Sequence, residues 1–261
     1  MWISKSRVFL YQFCPKKFEY RYIDKIQPEE KSPIPTIGRN FHMFFDAFFD
    51  EVEIKNNMSI PECSEEIRRA ALFVASPMSG DLESYIDFNW TTAKDYWKII
   101  ENFITTEIMR ASMLHPNKLE EFFYPAAVEQ EFKIKDLEFR GIIDRIDLDP
   151  SMTYTVIDYK TGNIYRNVSK MRKELSFYKM GADELGYPTT YGSLFFVRHN
   201  YVFLEKIKPV SVTYAKKSIE ALRENVDEGN FPHRTGGWCR DCPYFDICDF
   251  GGDRPVRESN D

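Results

Sequence analysis

A chain of 261 residues, 43% hydrophobic and 16% aromatic, carries enough apolar mass for one large packed domain or two small ones, which sets disordered and low-complexity classes aside. Its net charge of −6 and pI near 5.4 lack the basic surplus of a general nucleic-acid binder, although carboxylates gathered at a metal site would lower the sum while basic patches survive elsewhere. No apolar run reaches the roughly 18 residues of a bilayer span, and the amphipathic start lacks the apolar centre and cleavage site of a signal peptide, so a soluble cytoplasmic protein without a membrane partner is the expectation. Residues 4–23 read as two short helices broken at Cys14-Pro15, because proline disfavours helix at the residue before it. Residues 32–36, with two prolines, read as a loop in which Thr36 caps a helix over 37–54. Within that helix Phe41, Phe44, Phe45, Phe48 and Phe49 recur at helical spacing, which marks a core stripe.

Residues 64–123 read as mostly helical, with a long element over 91–113, and then the period changes. Segments 126–134, 137–148 and 153–159 alternate or run apolar in short stretches, with turn residues from Asp147 to Ser151, and predict three consecutive strands. A helix over 170–185 ends near Gly186, strands 191–198 and 201–206 form a hairpin about His199 and Asn200, and a last helix covers 211–228. That order predicts an α/β fold around a mixed sheet, with a helical insertion before the strands.

Gly141-Ile-Ile-Asp144 is followed, fourteen residues after its aspartate, by Asp158-Tyr-Lys160. Residues two apart share a face of a strand, so Asp144 is expected beside Ile142 and Ile146, and Asp158 beside Val156 and Lys160. Two carboxylates on apolar faces are costly unless something compensates their charge. A hairpin about Asp149-Pro150 would bring them together, and Mg²⁺ or Mn²⁺ would answer the problem directly. Such an ion would stabilise charge on a phosphodiester and lower the pKa of a water, with Lys160 placed to orient that water or neutralise developing charge. The plain alternative is an acid-rich surface turn with a solvated Lys160. Asp147 and Asp149 read as turn residues only.

Five cysteines without a secretory context point to ligands or core residues rather than disulfides. Cys14 stands near the start, Cys63 fits no pattern, and Cys239, Cys242 and Cys248 crowd the end. Four thiolates are the usual complement of an iron–sulfur cluster, and a structural zinc could use the same set. Either centre would pin the two ends of the chain together.

In this order the segments resemble PD-(D/E)XK nucleases of the RecB type. Gly141-x-x-Asp144 with Asp158-Tyr-Lys160-Thr-Gly resembles the catalytic core, and Gly38-Arg-Asn-Phe-His42 resembles the family's Gly-x-x-x-His helix. On its own His42 among phenylalanines reads as a core or boundary residue; the resemblance makes it a metal ligand. Glu129 resembles the acidic position on the first core strand, with Glu131 as the alternative, and Glu174-Leu-Ser-Phe-Tyr178 stands where the family has Gln-x-x-x-Tyr. Cys14, Cys239, Cys242 and Cys248 resemble the [4Fe–4S] ligands of AddB-type helicase-nucleases and CRISPR-associated exonucleases, and the whole resemblance spans residues 1–250.

What the resemblance implies is a restriction-endonuclease-like α/β core with a mixed central sheet flanked by helices, a helical insertion, and an iron–sulfur cluster joining the terminal segments. It implies one nuclease domain over 1–261, divided into a helical subdomain (36–123), a catalytic sheet core (124–208) and a cluster region from 1–25 plus 236–250. His42, Asp144, Asp158 and the carbonyl of Tyr159 would hold Mg²⁺ or Mn²⁺, and Asp144, Asp158, Lys160, Glu174 and Tyr178 would form the catalytic set. Glu174, an anion where an amide is customary, would bind a second metal or pair with Lys170 or Lys173, and it shares a helix face with Tyr178. Tyr178 would stack or hydrogen-bond near nucleic acid, or pack in the core.

The implied activity is exonucleolytic hydrolysis of single-stranded DNA ends, in DNA repair, recombination or CRISPR adaptation. Helicase, recombination or CRISPR adaptation proteins are the implied partners; no Gly-x-x-x-x-Gly-Lys-Ser/Thr loop occurs, so unwinding would fall to a partner. Lys5, Arg7, Lys16, Lys17, Arg21, Lys170, Arg172 and Lys173 would track phosphates or, as the plain alternative, form solvated helix faces. The alternative is a catalytically silent nuclease fold retained as a DNA-binding subunit, whose signature would be loss of an acid or of the lysine. A third reading makes the cluster a redox sensor.

Overall fold

The short apolar runs of the second half of the chain pair into one five-stranded sheet of order β1-β2-β3-β4-β5. In the computed structural model, which describes residues 1–27, 34–79 and 93–250, the strands are β1 (Ala127–Ile134), β2 (Phe139–Leu148), β3 (Tyr154–Lys160), β4 (Thr189–Phe196) and β5 (Tyr201–Lys206). β2 and β3 run antiparallel, β3 and β4 parallel, β4 and β5 antiparallel, so the sheet is mixed. Parallel neighbours need a long crossover, and α7 (Val168–Glu184) supplies it between β3 and β4. Asn167 fixes the start of α7 by accepting a hydrogen bond from the Lys170 N–H at 3.0 Å. Gly186, at φ 89°, ends it: that left-handed turn lets Tyr187 N–H reach back to the Ala182 carbonyl at 2.8 Å, the closing bond of a Schellman motif.

Before the sheet come α3 (Ile34–Glu51), α4 (Ile60–Ser79), α5 (Ala93–Met113) and α6 (Leu119–Phe123). The phenylalanine stripe of α3 is buried with Ile67 and Ala71 of α4, Ile100 and Phe103 of α5, and Tyr159 and Phe195 of the sheet, while Met43 on the other side of α3 is exposed. Cys63 is fully buried in this core as a small hydrophobe. Phe132 of β1 lies against two glycines: a Cβ on Gly181 of α7 would come within 2.4 Å of its ring, and one on Gly141 of β2 within 2.8 Å. Gly181→Ala should therefore cost about 1–3 kcal/mol through overpacking, read as a lower urea midpoint at unchanged slope.

The described residues divide into two compact units, one drawing on Met1–Lys31, Ile134–Arg140 and Thr213–Asp261, the other on Ser32–Lys133 and Gly141–Val212. The first unit contains α1 (Lys5–Phe13) and α2 (Pro15–Tyr22), split where Cys14 is forced into extended backbone by Pro15. Ser4 caps α1, Ile3 forms a parallel bridge to Phe139, and most of α8 (Pro209–Asp227) belongs here too. Among the described residues no helix is long and apolar enough to cross a membrane.

Two helices start early with a proline in their first turn, at Ile34 rather than 37 and at Pro209 rather than 211. Proline reads as a breaker, yet in a first turn its missing N–H costs nothing. Thr36 thus falls inside α3 rather than at its cap, and its side chain, like residues 32 and 33, lies outside the described residues.

Candidate active site

The β2–β3 hairpin closes as its acids require. Asp149 accepts from the N–H of Ser151 (2.8 Å) and Thr153 (3.1 Å), which fixes the turn. The pairing then runs from Leu148 opposite Tyr154 to Arg145 opposite Ile157, and ends one step short of Asp144 and Asp158. Both aspartates are buried, at 9% and 3% exposure. Ile146 and Val156 are buried on the same face, but Ile142 is 46% exposed, so the Asp144 face opens at that end instead of continuing apolar.

Asp144 receives the Tyr159 N–H on Oδ2 at 2.7 Å and turns Oδ1 toward His42 Nδ1 at 3.4 Å. Glu129 of β1 brings Oε1 to 3.6 Å from the same nitrogen. Donor atoms of His42, Glu129 and Asp144 all lie within 4.8 Å of one another. Glu129, not the exposed Glu131, fills the acidic position, and its backbone sits in the left-handed region at φ 44°, which few non-glycine residues adopt. Burial opposes charge on His42, but the hydrogen bonds that it donates to Asp144 and Glu129 outweigh this and push its pKa up to about 10.

Asp158 sits between two donors. The Tyr178 hydroxyl donates to Oδ1, and Lys160 pairs with Oδ2 while also donating to Glu174 Oε1 at 2.7 Å. Burial works against the Lys160 charge, and Asp158 and Glu174 reverse that effect, holding its pKa well above the usual lysine range. Glu174, 4% exposed, also accepts from the Tyr165 hydroxyl, and Lys170 lies over the Tyr165 ring at 4.6 Å. Tyr178 is 6% exposed, so its ring offers no open face for a base; the hydroxyl on Asp158 is its contact with the site. Tyr165 escapes sequence reading because it lies in the β3–α7 connection, where no periodicity points at it.

Four carboxylates, from Glu129, Asp144, Asp158 and Glu174, thus surround Lys160 and His42. An oxygen-rich set with one imidazole and surplus negative charge fits Mg²⁺ or Mn²⁺. Asp147, expected only in the turn, instead binds Arg145 through both oxygens at 2.6 and 2.7 Å.

In the other unit Cys14, Cys239, Cys242 and Cys248 line one cavity, and no cysteine is in a disulfide. Among the described residues no three of these sulfurs come within 4.8 Å of one another, whereas a zinc tetrahedron spaces them by about 3.8 Å. His233 and Asp249, which the sequence did not single out, stand beside Cys248, with His233 Nε2 against an Asp249 carboxylate oxygen. Of the cations expected to track phosphates, Lys16 is paired with Glu19 at 2.6 Å, Arg172 with Glu205 at 2.8 Å, and Arg7 donates to the Trp2 carbonyl.

No curated protein sequence matches the chain. Among solved structures it is similar to the crystal structure of SSO0001, at 15% identity over 82% of this chain and 96% of that one, with a TM-score of 0.34, too distant to argue from. The pattern of the PD-(D/E)XK nuclease superfamily, by contrast, matches residues 3–249 and so takes in the acids, the lysine and the four cysteines alike. By that match, and with an Asp–Asp–Lys set gathered on adjacent strands, the chain belongs to the PD-(D/E)XK nuclease superfamily.

Proposed function

We propose that the protein is a Mg²⁺- or Mn²⁺-dependent deoxyribonuclease of the RecB/AddB kind, acting as an exonuclease on single-stranded DNA ends. The observation that carries this reading is the meeting of His42, Glu129 and Asp144 beside Asp158 and Lys160. His42, Glu129, Asp144 and Asp158 would hold the metal, with the Tyr159 carbonyl as a further donor. A bound divalent ion would supply Lewis acidity toward a phosphate oxygen and lower the pKa of a water. Lys160, as an ammonium, offers positive charge and a donor to a phosphoryl oxygen. Glu174 and Tyr165 orient that ammonium, and Tyr178 fixes one oxygen of Asp158. The choice of single-stranded ends, and of helicase, recombination or CRISPR adaptation partners, rests on the family resemblance.

Anaerobically purified protein with Mn²⁺ should degrade single-stranded DNA labelled at either end, and the label lost first gives the polarity. Asp144→Asn should be inactive under the same conditions. DNA binding without cleavage by a wild-type protein that takes up Mn²⁺ would turn the reading to a DNA-binding subunit.

The cysteine cavity belongs to the same proposal. Cys14, Cys239, Cys242 and Cys248 would ligate a [4Fe–4S] cluster, an assignment supported by the common cavity that they line. The anaerobic protein should contain iron and acid-labile sulfide in equal amounts, and Cys239→Ser should lose both. Zinc in place of iron would refute the assignment.

A further inference from the structure

The site faces one side of the β2–β3 pair, and a buried charge network occupies the other. Side chains alternate across a strand, so Arg145, next to Asp144, and Tyr159, next to Asp158, project away from the site. Arg145 is among the largest fully buried side chains. Its Nη1 donates to Glu107 Oε1 of α5 at 2.7 Å and to the Tyr159 hydroxyl at 2.9 Å, and its other nitrogens hold Asp147. The guanidinium lies over the Phe49 ring at 4.7 Å, and the Tyr159 ring stacks on Phe45 at 4.1 Å. Phe45 and Phe49 follow His42 by three and seven residues along α3, on the same side of the helix. One guanidinium therefore ties together α3, β2 and β3, the elements that carry His42, Asp144 and Asp158.

We propose that Arg145, Glu107 and Tyr159 are positioning residues that preset the metal-ligand geometry from the reverse face of the sheet. The inference rests on reading His42, Asp144 and Asp158 as metal ligands. Tyr159 is the joint: its hydroxyl belongs to the network, while its N–H holds Asp144 Oδ2 and so leaves Oδ1 facing His42. Apolar side chains of similar volume often match or exceed the stability of such a buried ionic group. What the fork adds is a fixed relation between two strands and a helix, and outer partners of this kind typically set metal affinity by a factor of about 10–100.

Tyr159→Phe keeps the ring and the N–H and removes only the hydroxyl. Mn²⁺ affinity of the folded variant, measured by electron paramagnetic resonance well below its unfolding temperature, should fall about 10-fold. Single-turnover cleavage should stay slower than wild type even at saturating Mn²⁺. A lowered unfolding midpoint with unchanged Mn²⁺ affinity would make the network merely structural and overturn the inference. Wild type that takes up no Mn²⁺ would overturn the site reading and this inference with it, whereas equal binding by wild type and variant overturns the inference alone. Glu107→Gln, which keeps an acceptor for Arg145, gives the same test should Tyr159→Phe fail to fold.

Discussion

Lys160→Ala should slow single-turnover DNA cleavage at saturating Mn²⁺ by about 100- to 1000-fold, the usual cost of removing one donor aimed at developing charge. The variant should still load metal. In the wild type Lys160 competes for the same carboxylates, pairing with Asp158 Oδ2 and Glu174 Oε1. Removing the ammonium leaves those anions to the metal, so Mn²⁺ affinity should rise while the rate falls. Stability gives an independent check. Without metal, Asp158 and Glu174 lose their common cation, and breaking such a buried pair costs about 3–5 kcal/mol. The lower end applies here, because the Lys160 side chain keeps some exposure. Metal bound only by the folded state offsets the loss, so Mn²⁺ should raise the unfolding midpoint of the variant more than that of the wild type. Cleavage at the wild-type rate would remove Lys160 from the chemistry.

The parts of this site that follow strand and helix periodicity are legible in the sequence. Asp144, Asp158 and Lys160 share a face by simple parity, and a turn rich in aspartate between two apolar runs predicts the hairpin that joins them. What parity misses are the places where backbone or burial departs from the pattern. Glu129 and Glu131 have the same parity, so alternation alone cannot choose between them; in the fold Glu129 meets His42 while Glu131 is exposed. Glu174 is expected to bind a second metal or to pair with Lys170 or Lys173, yet it is buried against Lys160, fourteen residues upstream, a contact made by the crossover of α7 over β3. Proline at 35 and 209 reads as punctuation and serves as a helix start. Arg145 is the clearest case. The sequence pattern does not single it out, and only the tertiary fold shows Glu107 of α5 arriving to complete its shell.

That shell carries the second large expectation: Arg145→Met should lower stability by about 3–5 kcal/mol, because it takes the Arg145 cation from the buried Glu107 and the half-buried Asp147. Glu107 is 1% exposed and loses the Arg145 bond, keeping Arg110 as its remaining cation at 2.7 Å. Asp147 loses both its hydrogen bonds and retains only the distant end of Arg110, at 4.0 Å. The effect should depend on pH in a defined direction. In the wild type, burial pushes the Asp147 carboxyl up, and the Arg145 and Arg110 guanidiniums more than reverse this, holding it below the usual carboxylate range. Its contribution to stability is therefore present above the unfolded pKa and is lost as pH falls through the lower folded value. In the methionine variant desolvation is left nearly unopposed, so the folded pKa rises above the unfolded one and the ionised form becomes the destabilised form. The gap between wild type and variant should then widen from pH 5 to pH 8, measured by urea unfolding at each pH. A gap independent of pH would mean that lost packing over Phe49, rather than uncompensated charge, sets the cost.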